Sequence, residues 1–183
     1  MEANYALLNL NSESRIPETR NSSCTTAVFA ATKGAVLQDK EFLRIVDATP
    51  LVSIDLIIRD AGGRVLLGRR LNRPARGSWF VPGGRIWKNE HVKDALRRIS
   101  QRELGVTIDS AKLVGVFDHI YDDNFLGAPG VNTHYVVLAF AAELPREAVP
   151  TPDEQHSELR WWSTAELLAE PLVHEHTKAY FRG

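Results

Sequence analysis

The chain has 183 residues, 44% of them hydrophobic and 25% charged, with 22 Lys and Arg against 23 Asp and Glu. These values describe one globular domain of ordinary size and exclude a disordered or low-complexity chain. No apolar run approaches the roughly 18 to 20 residues of a membrane span, and a formal net charge of −1 argues against a whole-surface nucleic-acid binder. Neither a membrane nor nucleic acid is therefore expected as a partner. Cys24 is the only cysteine, which excludes an intrachain disulfide and fits a reducing compartment, so a cytoplasmic enzyme-sized domain is the expectation.

Residues 1–38 are rich in Asn, Ser, Thr and Ala, show no sustained periodicity, and lack the basic start and longer apolar run of a secretory leader. They are expected to be a flexible extension, with the folded domain spanning 39–183. A short helix is expected over Lys40–Asp47, ending before Pro50. Leu51–Arg59 and Arg64–Arg70, separated by Asp60-Ala61-Gly62-Gly63, predict a β-hairpin. Ser78–Val81 reads as a strand entering a Pro82-Gly83-Gly84 turn. Asn89 is the expected cap of a helix over Glu90–Leu104, with an apolar stripe of Val92, Ala95, Leu96 and Ile99 and with Gly105 as its left-handed terminator. Strands are expected over Lys112–Ile120, Thr133–Glu143 and Glu158–Ser163, with a loop over Asp122–Asn132. A short helix capped by Ser163 or Thr164 and a last helix over Leu172–Phe181 complete an α+β pattern.

Charge is distributed unevenly. Between Ala61 and Asn89 there is no acidic residue but seven basic ones, Arg64, Arg69, Arg70, Arg73, Arg76, Arg85 and Lys88. Such an island focuses positive potential where an anionic ligand can sit. It contains Pro82-Gly83-Gly84-Arg85. Asp55, by contrast, interrupts an apolar strand, where a buried carboxylate needs a partner to offset its desolvation.

Gly84, Glu90, Arg98, Glu103 and Gly105 are spaced G-x5-E-x7-R-x4-E-x-G. The pattern resembles the Nudix box, the loop–helix motif of hydrolases acting on nucleoside diphosphates linked to another group, and implies the Nudix fold, a mixed β-sheet core sandwiched by helices. Three positions depart from the usual G-x5-E-x7-R-E-U-x-E-E-x-G-U, where U is a bulky aliphatic. Ile99 stands for the first Glu after the Arg, Ser100 for the aliphatic, and Arg102 for the first of the paired Glu. Val106 matches the last aliphatic. Members with the full carboxylate set hold several divalent ions and use them to make a hydroxide that attacks phosphorus. Glu103 alone provides too little negative charge for that, though one hard ion could be held by a carboxylate, backbone oxygen and the substrate's phosphates.

This departure is similar to the GDP-mannose mannosyl hydrolase branch of the superfamily, over roughly residues 41 to 181. The matching blocks are Thr49–Ser53, Leu67–Arg70, Asn72–Ala75, Trp79–Arg85, Tyr121–Phe125, Thr133–Leu138 and Pro152–His156. The resemblance implies hydrolysis of GDP-mannose, with GDP-glucose as a second substrate, by water attack at the anomeric carbon with inversion. It further implies one Mg²⁺ per site, replaceable by Mn²⁺, held by the Gly83 carbonyl, Glu103 and Gln155. His156 would be the general base, and Asp55 would stabilise positive charge on the sugar. Arg70 and Arg85 would neutralise the departing diphosphate, while Arg98, His119 and Tyr135 match positions that contact substrate or assist its departure. Glu90 is expected to brace the loop, Trp161-Trp162 to support the core or a subunit contact, and His134, His174 and His176 to be structural or on the surface. The branch forms homodimers, with Lys40–Pro50 a candidate for crossing between subunits. Two alternatives stay open: a conventional Nudix pyrophosphohydrolase attacking phosphorus, and a domain that senses a nucleotide sugar without turning it over.

Overall fold

The computed structural model describes residues 37–144, 149–151 and 156–182. The flexible extension expected for 1–38 therefore lies outside the described residues except at Leu37 and Gln38, and Gln155 lies outside them too. Helix α1 covers Asp39–Ala48, and strands β1 and β2 cover Leu51–Arg59 and Val65–Arg70. Asp60 closes the turn between these strands, its Oδ1 accepting from the Gly62 and Arg64 amides at 3.0 and 2.8 Å. Then follow β3 (Trp79–Phe80), β4 (Gly83–Arg85), helix α2 (Val92–Leu104), β5 (Lys112–Tyr121), β6 (Thr133–Glu143), β7 (His156–Trp162), α3 (Thr164–Ala169) and α4 (Glu175–Ala179).

The seven strands form one mixed sheet in the order β3-β2-β1-β6-β5, with β4 paired to β1 and β7 to β2. β1 runs parallel to β6, and the other pairings are antiparallel. Because strand side chains alternate between faces, Ile54, Leu56 and Ile58 join Leu66, Ala95, Leu96, Ile99 and Leu104 in one core beneath α2. Ile57, Val65 and Leu67 face the other way, into a second core with Trp79, Trp162, Leu167 and Val173. Trp162 meets Trp79 edge-on at 5.2 Å, which is the core-supporting role expected of the tryptophan pair.

Four local expectations change. Gly83 and Gly84, read with Pro82 as a turn, belong to strand β4 (Gly83–Arg85), which is in register with Ser53–Asp55. Asn89 does not cap α2; it sits at φ 65°, and His91 precedes the helix. Glu90 therefore lies before α2 and reaches its partners as a loop residue. The last helix is only Glu175–Ala179, since the Trp79 amide bonds the Leu172 carbonyl at 2.8 Å and ties that segment to β3. β7 begins at His156, two residues before the strand expected from Glu158, so His156 is a buried strand residue paired with Arg70. Gly105 terminates α2 in the left-handed conformation as read, and Ser163 caps α3 through a capping box.

Candidate active site

Register places the chemistry. The alignments Ser53↔Val137, Asp55↔Ala139, Leu51↔Tyr135, His119↔Tyr135 and Tyr121↔Thr133 put Asp55, Tyr135, His119 and Tyr121 on one face of the sheet. β4 brings in Gly83 and Arg85, the β2–β7 pairing brings Arg70 beside His156, and α2 supplies Arg98 and Glu103. All nine of these expected site residues that fall within the described chain (Asp55, Arg70, Gly83, Arg85, Arg98, Glu103, His119, Tyr135 and His156) line one cleft of about 220 Å³. Tyr121, Trp87, Asn72 and Arg102 line it as well.

His156 and Glu103 form the buried end of the cleft. His156 Nδ1 lies 3.5 Å from Glu103 Oε2, and both side chains are nearly inaccessible. The imidazole lies against the Gly68 backbone: a Cβ at residue 68 would come 2.8 Å from His156 Cγ and 2.9 Å from Nε2. Glycine at 68 is thus what lets the ring pack flat on β2.

Asp55 lines the same cleft. Tyr180, from the turn after α4, donates its hydroxyl to Asp55 Oδ2 at 2.7 Å, and its phenol oxygen lies 3.1 Å from His119 Nε2. Burial pushes the Asp55 carboxyl up from 3.8 to about 6, against the lowering effects of the Tyr180 bond and Arg70. His119 is buried and stacks on His176 at 4.2 Å, with the rings 6° from parallel. Burial, then the neighbouring His176 and His174, hold His119 down to about 3, so its ring is neutral at physiological pH. His174 stacks on Phe80 at 4.5 Å and is likewise held down to about 4, chiefly by burial. His174 and His176 are therefore structural, as expected, and pack behind Phe80 and His119, which line the cleft. Tyr180, His174 and His176 were not found as site residues from sequence. No spacing signal points to them, since Tyr180 lies 125 positions from Asp55.

The arginines divide in two. The Arg70 guanidinium lies over the Phe80 ring at 5.2 Å and that of Arg85 over Phe42 of α1 at 4.2 Å, so aromatic faces aim both charges at the cleft. Arg98 also reaches the cleft, with its Nε and Nη2 held by neighbouring residues. It bonds Glu90 Oε1 and Oε2 at 2.6 and 2.8 Å and the Arg85 carbonyl at 2.8 Å, and it stacks on Trp87 at 3.8 Å. Glu90 in turn accepts from the Trp87 amide at 2.9 Å. The pair braces the loop ahead of α2, the role expected of Glu90.

The box departures have structural reasons. Ile99 is 1% exposed in the α2 core and would meet a Gly84 Cβ at 3.3 Å, a place for a hydrocarbon. Ser100 Oγ is also fully engaged, accepting from the Ile108 amide at 2.9 Å and donating to the Arg97 carbonyl at 3.1 Å. Among the described residues no cluster of three or more His, Cys, Asp or Glu could hold a metal. The donors present nevertheless suit one hard cation. Glu103 is a buried carboxylate. The bonds Leu56 N to Pro82 O and Ile86 N to Val52 O make Asp55↔Gly83 a non-hydrogen-bonded pair, which turns the Gly83 carbonyl away from β1.

This sheet, with α2 following a Gly-Gly strand, carries a cleft lined by both carboxylates and guanidinium groups. Residues 49–182 match the NUDIX domain model, and the chain belongs to the Nudix family. Agl8 of Haloferax volcanii, a low-salt glycan biosynthesis protein, is 46% identical over 125 residues, covering 68% of this chain and 78% of that protein. The crystal structure of a MutT Nudix hydrolase from Burkholderia pseudomallei superposes with a TM-score of 0.60 at 30% identity, over 72% of this chain and 95% of that one. The Nudix domain of Shewanella oneidensis NrtR, solved with ADP ribose, shares the fold at a TM-score of 0.56 and 21% identity, over 79% of this chain and 96% of that one. The chain is thus similar to Nudix hydrolases in sequence and fold. No helix among its described residues is long and apolar enough to cross a membrane.

Proposed function

We propose that the domain, residues 39–183, hydrolyses a nucleoside diphosphate sugar by water attack at the anomeric carbon with inversion. GDP-mannose is the first substrate and GDP-glucose the second, and the products are GDP and free sugar. The observation that carries this reading is the single cleft lined by His156, Glu103, Asp55, Arg70 and Arg85, while Ile99 and Arg102 replace the box carboxylates that phosphorus attack needs. The similarity to a glycan biosynthesis protein supports a sugar-linked substrate. His156 accepts the proton of the attacking water, Asp55 faces the positive charge growing at the sugar carbon, and Arg70 and Arg85 take up negative charge on the leaving diphosphate. Tyr135, half-buried beside Arg85, closes the substrate side of the cleft. A single divalent cation, Mg²⁺ or Mn²⁺, held by Glu103, the Gly83 carbonyl and Gln155, would offset further charge on the diphosphate. The lone cysteine suits a reducing, cytoplasmic setting.

Turnover of GDP-mannose with Mg²⁺ in heavy-oxygen water tests the reading. Labelled mannose with unlabelled GDP is the expected result. GMP with mannose 1-phosphate would mean attack at phosphorus, and tight binding without turnover would favour a sensing domain.

The proposed assembly is a homodimer. β5 is an edge strand whose Val114, Val116 and Ile120 are 49%, 59% and 56% exposed on the face that also carries Asp118, a largely apolar surface suited to a second copy. Sedimentation equilibrium should return twice the chain mass of 20.5 kDa; a single-chain mass at micromolar concentration would refute it.

A further inference from the structure

We propose that Tyr180 is a positioning residue of this cleft, its hydroxyl joining the Asp55 carboxylate to the His119 imidazole and fixing His119 as the Nε2–H tautomer. A phenol carries one proton. At 2.7 Å that proton goes to Asp55 Oδ2, so at 3.1 Å from His119 Nε2 the phenol oxygen can only accept, and Nε2 must carry the hydrogen. A neutral imidazole has a single N–H, which leaves Nδ1 as a lone-pair acceptor. Burial and the flanking His174 and His176 support the neutral ring.

The ring of His119 is held from its other side as well. His176 donates Nε2–H to the Ile120 carbonyl at 3.1 Å and lies flat on His119. On Asp55, Tyr180 occupies Oδ2, whereas Oδ1 lies over Gly83, where a Cβ would come within 2.6 Å of it. One phenol thus orients two groups from β1 and β5 and leaves one carboxylate oxygen for the substrate. The Tyr180 ring is independently placed by the edge of Phe117 at 4.8 Å, so deleting the oxygen should leave the packing intact.

The kinetic part of this inference rests on Asp55 and His119 facing the substrate as proposed above; the tautomer part does not. Histidine-selective ¹⁵N NMR of the full chain, with the His119 signals assigned through a His119→Asn variant, should show Nε2 protonated and Nδ1 unprotonated in the native protein at neutral pH. In Tyr180→Phe those two shifts should move towards each other as the tautomers mix. With GDP-mannose, kcat of Tyr180→Phe should fall about 10- to 100-fold while KM stays within about threefold, the signature of lost orientation at the reacting centre. Native His119 in the Nδ1–H form overturns the proposal, as do unchanged shifts and kcat in the variant. If the native protein leaves GDP-mannose intact, the substrate reading falls, and the NMR comparison still decides the role of Tyr180.

Discussion

Replacing His156 with alanine is expected to lower kcat on GDP-mannose by about 10²- to 10⁴-fold with KM nearly unchanged, as removal of a positioned general base does. The geometry is specific to such a role. The imidazole opens strand β7 with its neighbours fixed by the sheet, and it packs on the one residue of β2 without a Cβ. Its Nδ1 faces the buried Glu103 carboxylate at 3.5 Å, which sets the orientation of the ring. The binding groups Arg70 and Arg85 belong to other strands, β2 and β4, and keep their aromatic supports in the variant. Steady-state kinetics with a thermal melt as fold control checks this. A folded variant with native kcat would remove His156 from the mechanism.

Asp55→Asn is expected to abolish most activity, about 10²-fold or more in kcat, while making the protein more stable at neutral pH. The first effect follows from losing the charge that faces the sugar carbon. The second follows from desolvation. Burial raises the carboxyl from 3.8 to about 6, so the native state carries a charge at neutral pH that it holds less favourably than the unfolded chain does. The difference corresponds to at most about 3 kcal/mol. The neutral amide removes that penalty and can still accept from Tyr180. The sign determines the pH profile. Stability from the raised group is fully present below about pH 4 and is lost as pH climbs through about 6. The gain of Asp55→Asn over the native protein should therefore be small near pH 4 and reach its full size above 6. At about 2 to 4 °C per kcal/mol, the melting midpoint should rise by roughly 5 °C at neutral pH. A variant that melts lower than the native protein at neutral pH would show that the carboxylate stabilises the fold instead.

Local pattern made much of this molecule legible. The apolar run Leu51–Arg59 is β1 to the residue, the Thr133–Glu143 strand is β6 likewise, and Gly105 and Ser163 mark the helix boundaries read for them. Turn chemistry, capping and side-chain alternation act over a few residues, so they can be read from a few residues. The spacing from Gly84 to Gly105 is of the same kind, and with it came the family and the meaning of Ile99 and Arg102.

Errors arose where a long-range partner outweighed local preference. Pro82-Gly83-Gly84 has the composition of a turn, yet β1 offers it a ladder of hydrogen bonds, and Gly83–Arg85 becomes a strand. His156 lies in a charged stretch, yet pairing with β2 carries it into the interior.

By itself, then, the sequence determined the strands, the central helix, the family and the residue types able to hold a diphosphate and a sugar, because periodicity and motif spacing are local properties. Only the tertiary structure decided that the Tyr180 hydroxyl joins Asp55 to His119, that His174 and His176 stack behind cleft residues, and that Glu103 faces His156. Those contacts are made between β1, β5, β7, α2 and the C-terminal segment, and the register that creates them is set by burying two faces of one sheet at once.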